Sequence, residues 1–177
     1  MSDRERGAAL GQRGSSMLNE FQINKVWENM LNAETRALYF GDLATRYTRR
    51  KQWITGLSFF LSSGAAATII GKSPGAIPVT LSLLVAGLTA YSMALNLDGK
   101  IIAMARFHSA WSRIASEYDR LWNHAYDPDA ELRFERIIEQ EREPSELATT
   151  EAPNDQRLLG KWQHRVFDMY HLNAGNG

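Results

Sequence analysis

Two long stretches without a charged side chain constrain the fold of this chain more than any other feature. The first covers residues 52–71 and the second residues 73–97, with Lys72 alone between them. A helix needs about 20 apolar residues, at 1.5 Å per residue, to cross a hydrocarbon core about 30 Å thick. Glycine and proline between the stretches are suited to end one helix and start the next. The sequence therefore predicts an all-α fold containing a two-span transmembrane helical hairpin, with spans at about 53–70 and 77–97.

The alternative is a soluble protein whose two central helices are buried on all sides, since a uniformly apolar helix lies either in a core or in a membrane. A chain of 177 residues buries only about 70% of its surface on folding, too little for a thick polar shell around both helices. The net charge of zero hides the segregation of charge along the chain. Residues 1–51 carry nine basic and six acidic side chains, residues 98–177 carry ten and fourteen, and the stretch between carries Lys72 alone.

Basic residues lie immediately before the first predicted span and, at Lys100 and Arg106, just after the second. Positively charged flanks stay on the cytoplasmic side of a membrane, so both termini of this multi-pass chain are predicted to be cytoplasmic. Tryptophan settles at the membrane–water interface because its ring is amphipathic. The predicted interface anchors are Arg46, Arg49, Arg50, Lys51 and Trp53.

Apolar side chains on either side of the predicted spans recur at spacings of three or four residues, from Ile23 to Tyr47 and from Leu97 to Leu121. This heptad spacing is typical of helices that pack along one seam. The two arms, residues 23–70 and 77–126, run antiparallel from one turn, so their stripes are predicted to pair in a coiled cytoplasmic stalk. The side chains predicted to pack in the stalk are Ile23, Val26, Met30, Phe40, Tyr47, Met104, Phe107, Trp111, Ile114, Tyr118 and Leu121.

The predicted hairpin and its stalk occupy residues 16–142, including a short helix from Pro128 to about Glu141. Residues 143–155 are polar and contain two prolines, which predicts a linker. An amphipathic helix is predicted over residues 156–172, either packed on the stalk or lying on the membrane surface. Residues 1–15 are predicted to be a flexible N-terminus.

Small and hydroxyl-bearing side chains recur within both predicted spans. Small residues at four-residue spacing let helices approach closely in lipid, so they either hold the hairpin together or face neighbouring copies or a water path. A pore without charged lining would be unselective or gated by a hydrophobic constriction. Two helices cannot enclose a channel, so conduction would require a homo-oligomer. The candidate pore-lining or helix-packing residues are Ser58, Ser62, Ser63, Ala66, Thr68, Thr80, Ser82, Ala86, Thr89, Ala90, Ser92 and Ala94.

Catalytic motifs are missing from the sequence. The chain has no cysteine, which excludes disulfides, thiolate zinc sites and a cysteine nucleophile. Its four histidines lack the spacing of a ligand pair, and no phosphate-binding glycine loop or nucleophile elbow is present. The neutral overall charge argues against a nucleic-acid-binding domain. We therefore predict no catalytic, cofactor-binding or metal-binding residue, no cofactor and no nucleic-acid partner, and we expect that the chain is not an enzyme.

Two segments of the chain resemble the SLATT domains. The segment R-A-L-Y-F-G-D-L-A-T-R-Y-T-R-R-K (36–51) precedes the first predicted span, and H-S-A-W-S-R-I-A-S-E-Y-D-R-L-W (108–122) follows the second. With a tryptophan in the first helix and a short turn between the spans, the resemblance covers about residues 25–125. SLATT domains are bacterial two-transmembrane effector domains that occur beside nucleotide-second-messenger synthetases and SLOG-type sensors in anti-phage and conflict systems.

The resemblance implies an oligomeric effector of the bacterial inner membrane that forms pores or perturbs the bilayer in anti-phage or conflict defence. Its implied partners are the lipid bilayer, further copies of the chain, and a sensor protein or nucleotide signal. The alternative is a membrane-anchored interaction or adaptor module, in which the stalk and the C-terminal helix recruit a partner and the hairpin is a passive anchor.

Overall fold

The computed structural model describes residues 17–70 and 76–171, and in this part of the chain all regular secondary structure is helical. The predicted all-α class is therefore confirmed. Residues 1–15, predicted to be flexible, and the segment that joins the first two helices lie outside the described residues. The helices are α1 (Glu20–Ile70), α2 (Ala76–Ala94), α3 (Leu97–Asn123), α4 (Ala130–Glu151) and α5 (Gln156–Met169).

The chain divides into two compact units. Among the described residues, the first unit contains residues 17–39 and 107–171, and the second contains residues 40–70 and 76–106. The start of α1 and most of α3 therefore belong to the first unit, with α4 and α5. The rest of α1, all of α2 and the start of α3 belong to the second.

The first unit is a helical bundle with an apolar core along the predicted heptad stripes. Large core side chains such as Trp111 and Tyr118 on α3 and Met30 on α1 are at most 2% exposed. Burying a side chain of this size contributes about 1.5–3 kcal/mol, so these positions stabilise the bundle most. Of the predicted stalk-packing residues in both units, all are buried except Ile23 and Tyr47, which are half-buried. The other helices contribute Phe134 and Ile137 from α4, and Leu158 and Val166 from α5.

α5 packs within the first unit, where the sequence left open whether it lies on the stalk or on the membrane surface. Its inward side chains Leu158 and Val166 are at most 3% exposed. Beyond its end, the Tyr170 hydroxyl donates a hydrogen bond of 2.9 Å to Glu34 Oε2 on α1. The Tyr170 ring also meets Trp27 edge-on, with ring centroids 5.2 Å apart. These contacts place the apolar face of α5 against α1.

The predicted linker at residues 143–155 is wrong for most of its length, because α4 continues to Glu151 instead of ending near Glu141. Pro144 lies inside this helix, where it removes one backbone hydrogen bond and would normally break the helix. Pro144 is buried in the bundle. On either side of it in the sequence, Arg142 and Glu146 form an ion pair, with Nε 3.2 Å from Oε1. Tertiary packing therefore overrides the local preference, and residues 152–155 alone separate α4 from α5.

The predicted second arm, residues 77–126, is interrupted between α2 and α3, so the helix of the second predicted span ends at Ala94 rather than 97. Asn96 has a positive φ of 44°, a left-handed conformation that asparagine tolerates better than most residues. Its side-chain Oδ1 accepts a hydrogen bond of 3.3 Å from the Gly99 amide and so caps the start of α3. A Cβ atom at Gly99 would lie 2.7 Å from Asn96 Nδ2, so glycine fits this close approach.

Among the described residues, one helical stretch is long and apolar enough to cross a membrane. This stretch is Ala76–Asn123, which contains α2. The corresponding segment of α1 is not among such stretches, so the two-span hairpin remains a prediction.

Candidate membrane-contacting surface

α2 is apolar and buries none of its side chains. Leu83 is 68% exposed and Met93 is 76% exposed, and no residue of the helix is buried. The soluble alternative requires central helices that are covered on all sides, whereas α2 has no buried side chain. Contiguous apolar surface of this kind marks contact with a membrane or with another protein.

The last part of α1 exposes aromatic side chains in the same way. Trp53 is 80% exposed, and the neighbouring pair Phe59 and Phe60 are each more than 70% exposed. Each exposed aromatic ring of this size would cost about 1.5–3 kcal/mol in water relative to burial. The second unit therefore presents an apolar surface that both α1 and α2 supply.

α1 and α2 contact each other through a face with heptad spacing. A Cβ atom at Gly64 would lie 3.9 Å from Leu81 Cδ1, so the two helices come close to each other at this position. The half-buried positions on either side of this contact are Ile54, Ser58 and Leu61 on α1, and Pro78, Val85, Leu88 and Ser92 on α2.

Most of the small residues predicted to line a pore or to pack helices lie outside this contact face. Ser58 and Ser92 are half-buried on it, whereas the side chains of Ala66 and Thr68 are outside the described part of the chain. The four-residue stripe of α2 is therefore available to other helices rather than used within the chain. The exposed members of the predicted set are Ser62, Ser63, Thr80, Ser82, Ala86, Thr89, Ala90 and Ala94.

Hydroxyl groups on the apolar surface bond to their own helix. Ser82 Oγ donates to the Pro78 carbonyl at 2.8 Å, and Thr89 Oγ1 donates to the Val85 carbonyl at 2.9 Å. In a bilayer every polar hydrogen needs a partner inside the protein, because lipid tails accept none. This surface is compatible with lipid despite its hydroxyls, since Ser62, Ser63 and Thr80 donate to carbonyls four residues back in the same manner.

A polar boundary borders the apolar surface where α1 enters it. Arg46 pairs with Asp42, with Nε 3.3 Å from Oδ1, and Lys51 pairs with Asp98 at the start of α3. Arg50 instead donates a hydrogen bond to the hydroxyl of Tyr91 near the end of α2. The predicted anchors thus differ in their partners, and two of the four cations are neutralised by carboxylates.

Sequence reasoning missed Asp98 and Tyr91 as parts of this boundary. A signal for each exists in the sequence: Asp98 is the first charged residue after the second apolar stretch, and tyrosine favours the same interfacial depth as tryptophan. Their pairing with Lys51 and Arg50 joins residues more than 40 positions apart, which spacing along one helix does not reveal.

Charge is divided between the two units. Residues 40–106 carry seven basic and two acidic side chains, a net charge of +5. The remaining residues carry 13 basic and 18 acidic side chains, a net charge of −5. The unit with the exposed apolar surface is therefore also the basic unit.

A partly buried polar cluster joins α1, α3 and α4 in the first unit. The Tyr118 hydroxyl accepts a hydrogen bond of 3.2 Å from Asn29 Nδ2 and also bonds to the Glu141 carboxyl. The guanidinium of Arg36 lies 4.4 Å from the centre of the Trp111 ring and is close enough to stabilise the Glu141 charge. Burial outweighs both favourable contacts and raises the pKa of Glu141 above its ordinary value.

We expect that Glu141→Gln stabilises the first unit at neutral pH. The folded state binds the Glu141 proton more tightly than the unfolded state, so the stability from that proton is present below the unfolded pKa and lost as pH rises through the folded pKa. The variant should melt a few degrees above wild type at pH 7 and level with it at pH 4, measured by near-ultraviolet circular dichroism of the full chain in detergent. Glu139→Gln, whose side chain is 76% exposed, is the control and should match wild type throughout. A Glu141→Gln variant less stable than wild type at pH 7 would contradict the expectation.

A small cavity between α3 and α4 concentrates arginine side chains. It has a volume of about 190 Å³, Leu121 and Ile137 form its apolar part, and Glu117 adds one carboxylate beside three arginines. Arg133 is held by Asp129 at 2.8 Å, whereas Arg120 and Arg136 have no carboxylate within ion-pair distance among the described residues. Arginines around a concave surface suit a phosphate or carboxylate group.

Metal-binding geometry is not found in the described part of the chain. No group of three or more histidine, aspartate or glutamate side chains there could hold a metal ion. Comparisons with models of protein families, with curated proteins and with solved structures gave no match to this chain.

Proposed function

We propose that the chain is a membrane protein whose second unit inserts in the bacterial inner membrane as a two-span helical hairpin, with both termini in the cytoplasm. On this proposal it acts as an oligomeric effector that forms pores or perturbs the membrane in anti-phage or conflict defence, as the SLATT resemblance implies. The observation that carries the proposal is α2, a 19-residue helix without charge or buried residues. Such a helix is unfavourable in water and favourable in lipid.

The first predicted span is proposed on weaker grounds than α2. It rests on 20 consecutive uncharged residues and on the exposed aromatic side chains of α1. The close approach of Leu81 to Gly64 supports a paired arrangement of the two apolar segments.

Self-association is supported by the small-residue stripe of α2. The stripe Ser82, Ala86, Ala90 and Ala94 is exposed in the single chain and would let a helix of a neighbouring copy approach closely. Several copies are also a geometric necessity for conduction, since two helices cannot enclose a water path.

The adaptor alternative is supported by a different observation. The first unit has its own apolar core and would be a folded cytoplasmic domain able to recruit a partner. In that function the second unit would be only an anchor.

Dye release from liposomes tests the effector proposal. Wild-type protein is expected to release a small dye and to collapse the membrane potential of cells that over-express it. Ala86→Leu/Ala90→Leu fills the exposed stripe and should lower both oligomer content and release by about tenfold, because packing is the main attraction between helices in lipid. Ile77→Leu/Leu84→Met changes two exposed side chains on a different face of α2, more than about 90° around the helix from Ala86 and Ala90, and is the matched control. The effector proposal would be overturned if wild type released no dye in any oligomeric state and left the membrane potential unchanged.

Exchange of residues 52–97 for an unrelated two-span hairpin separates the two functions. Loss of growth arrest with the unrelated hairpin favours the effector, whereas retained activity favours the adaptor. For the nucleotide signal that the resemblance implies, the arginine cavity of the first unit, at about 190 Å³, would hold a phosphate group and leave the rest of the nucleotide outside. In the same liposome assay, a nucleotide that alters release of wild type but not of Arg120→Gln/Arg136→Gln would support that trigger, and an equal response of both would exclude this cavity as its site.

A further inference from the structure

We propose that Arg49, Arg50 and Lys100 form a binding site for the phosphate headgroups of anionic lipids, distinct from the neighbouring cations Arg46 and Lys51. The inference rests on the proposed insertion of the second unit and adds a lipid specificity to it. Its basis is the different environment of five basic side chains that the sequence alone presents as equivalent.

Two of the five cations are already neutralised. Arg46 Nε lies 3.3 Å from Asp42 Oδ1, and Lys51 Nζ is bound to Asp98 Oδ1. An ion-paired cation offers less charge to an incoming phosphate, because the phosphate must compete with the carboxylate. Arg46 and Lys51 are therefore weak candidates for headgroup binding.

The other three cations have no carboxylate partner in the described part of the chain. Arg49, Arg50 and Lys100 are exposed and form no ion pair there. Arg50 donates one hydrogen bond to the Tyr91 hydroxyl, which leaves the rest of its five N–H groups for other acceptors. Their charges are available to bind an anion.

Tyrosine rings hold two of these cations in place. The Arg50 guanidinium lies 5.6 Å from the centre of the Tyr91 ring, and Lys100 Nζ lies 6.0 Å from the centre of the Tyr47 ring. A ring face attracts a cation without neutralising its charge. Restricting these side chains before the anion arrives lowers the entropy lost on binding.

The position of the cations selects a lipid headgroup over a free anion. Arg49 and Arg50 precede Trp53 by four and three residues, so all three side chains lie on one face of α1. Trp53 is 80% exposed and has the amphipathic ring that settles at headgroup depth. A phosphate bound by Arg49 and Arg50 would therefore lie beside apolar surface that suits the acyl chains of the same lipid.

Lipid selectivity measured by electron spin resonance tests this site. The full chain is reconstituted in phosphatidylcholine, and the motionally restricted fractions of spin-labelled phosphatidylglycerol and phosphatidylcholine are compared. Each basic side chain near an anionic headgroup contributes about a fivefold preference for phosphatidylglycerol, so wild type, with three such cations, should prefer phosphatidylglycerol by well over fivefold. Arg49→Gln/Arg50→Gln keeps Lys100 alone and should reduce the preference to about fivefold or less.

Arg46→Gln/Lys51→Gln is the matched control, because it also removes two positive charges from residues 46–51. If the proposed site exists, the control keeps most of the preference. If both double variants lost the preference for phosphatidylglycerol equally, a diffuse surface potential would explain that preference, and the proposed site would be overturned. Loss of the preference with 10 mM inorganic phosphate, but not with chloride at equal ionic strength, would assign the cations to free phosphate and also overturn the proposal. Absence of any restricted lipid in wild type would instead contradict insertion itself, so the two failures are distinguishable.

Discussion

Leu83→Arg/Leu84→Arg is expected to remove the chain from the membrane fraction. Both leucines lie near the middle of α2 and are more than half exposed. A leucine at the centre of a membrane-spanning helix favours insertion by about 0.3–0.6 kcal/mol, whereas arginine there costs about 2.5–3.5 kcal/mol. Two such replacements therefore make insertion of the helix less favourable by about 6–8 kcal/mol. The fraction of chain that resists alkaline carbonate extraction should fall from nearly all to under about 10%.

The same change has the opposite expectation in a soluble protein. Exposed leucines that face water can be replaced by arginine with effects within about 0.5 kcal/mol, and solubility would improve. Leu132→Arg/Ile138→Arg is the matched control, since both residues are exposed on α4 of the first unit. This control should remain in the membrane fraction as wild type does. A Leu83→Arg/Leu84→Arg variant that resists extraction like wild type would contradict membrane insertion of α2.

Heptad spacing predicted the buried side chains of the bundle because helix periodicity alone places them on one face. Val26, Met30, Trp111 and Tyr118 are buried as this periodicity indicates. The spacing carries no information about which helices complete the bundle. The contribution of Phe134 from α4 was therefore unpredictable from the stripes.

The two errors in helix boundaries have different physical causes. Pro144 and the preceding polar residues favour a helix end locally, but burial of Pro144 and the contact of Arg36 Nη1 with Ser145 Oγ at 3.4 Å keep α4 helical. Asn96 lies within an apolar pattern that favours a continuous helix, yet its left-handed backbone ends α2. Tertiary contacts therefore decide the first conformation, whereas a local cap, from Asn96 to the Gly99 amide, accompanies the second.

The candidate surface was predictable in composition but not in its internal arrangement. The absence of charge predicted an apolar surface, and the basic flanks predicted a polar boundary. The i, i+4 spacing of Asp42 and Arg46 on α1 makes that pair visible in the sequence. The partners of Lys51 and Arg50, which are Asp98 and Tyr91, come from other helices and were not predictable. Equally, four-residue spacing did not indicate which face of α2 meets α1.

Cysteine labelling in intact bacterial cells tests the proposed topology most directly. The chain contains no cysteine, so a single substitution reports one position alone. Ala76 at the start of α2 and Ser109 on α3 are both exposed in the single chain. If the second unit spans the inner membrane with both termini in the cytoplasm, a membrane-impermeant maleimide should label Ala76→Cys in cells whose outer membrane alone is permeable. It should label Ser109→Cys only after the inner membrane is opened. Labelling of Ser109→Cys without that step would contradict the proposed topology.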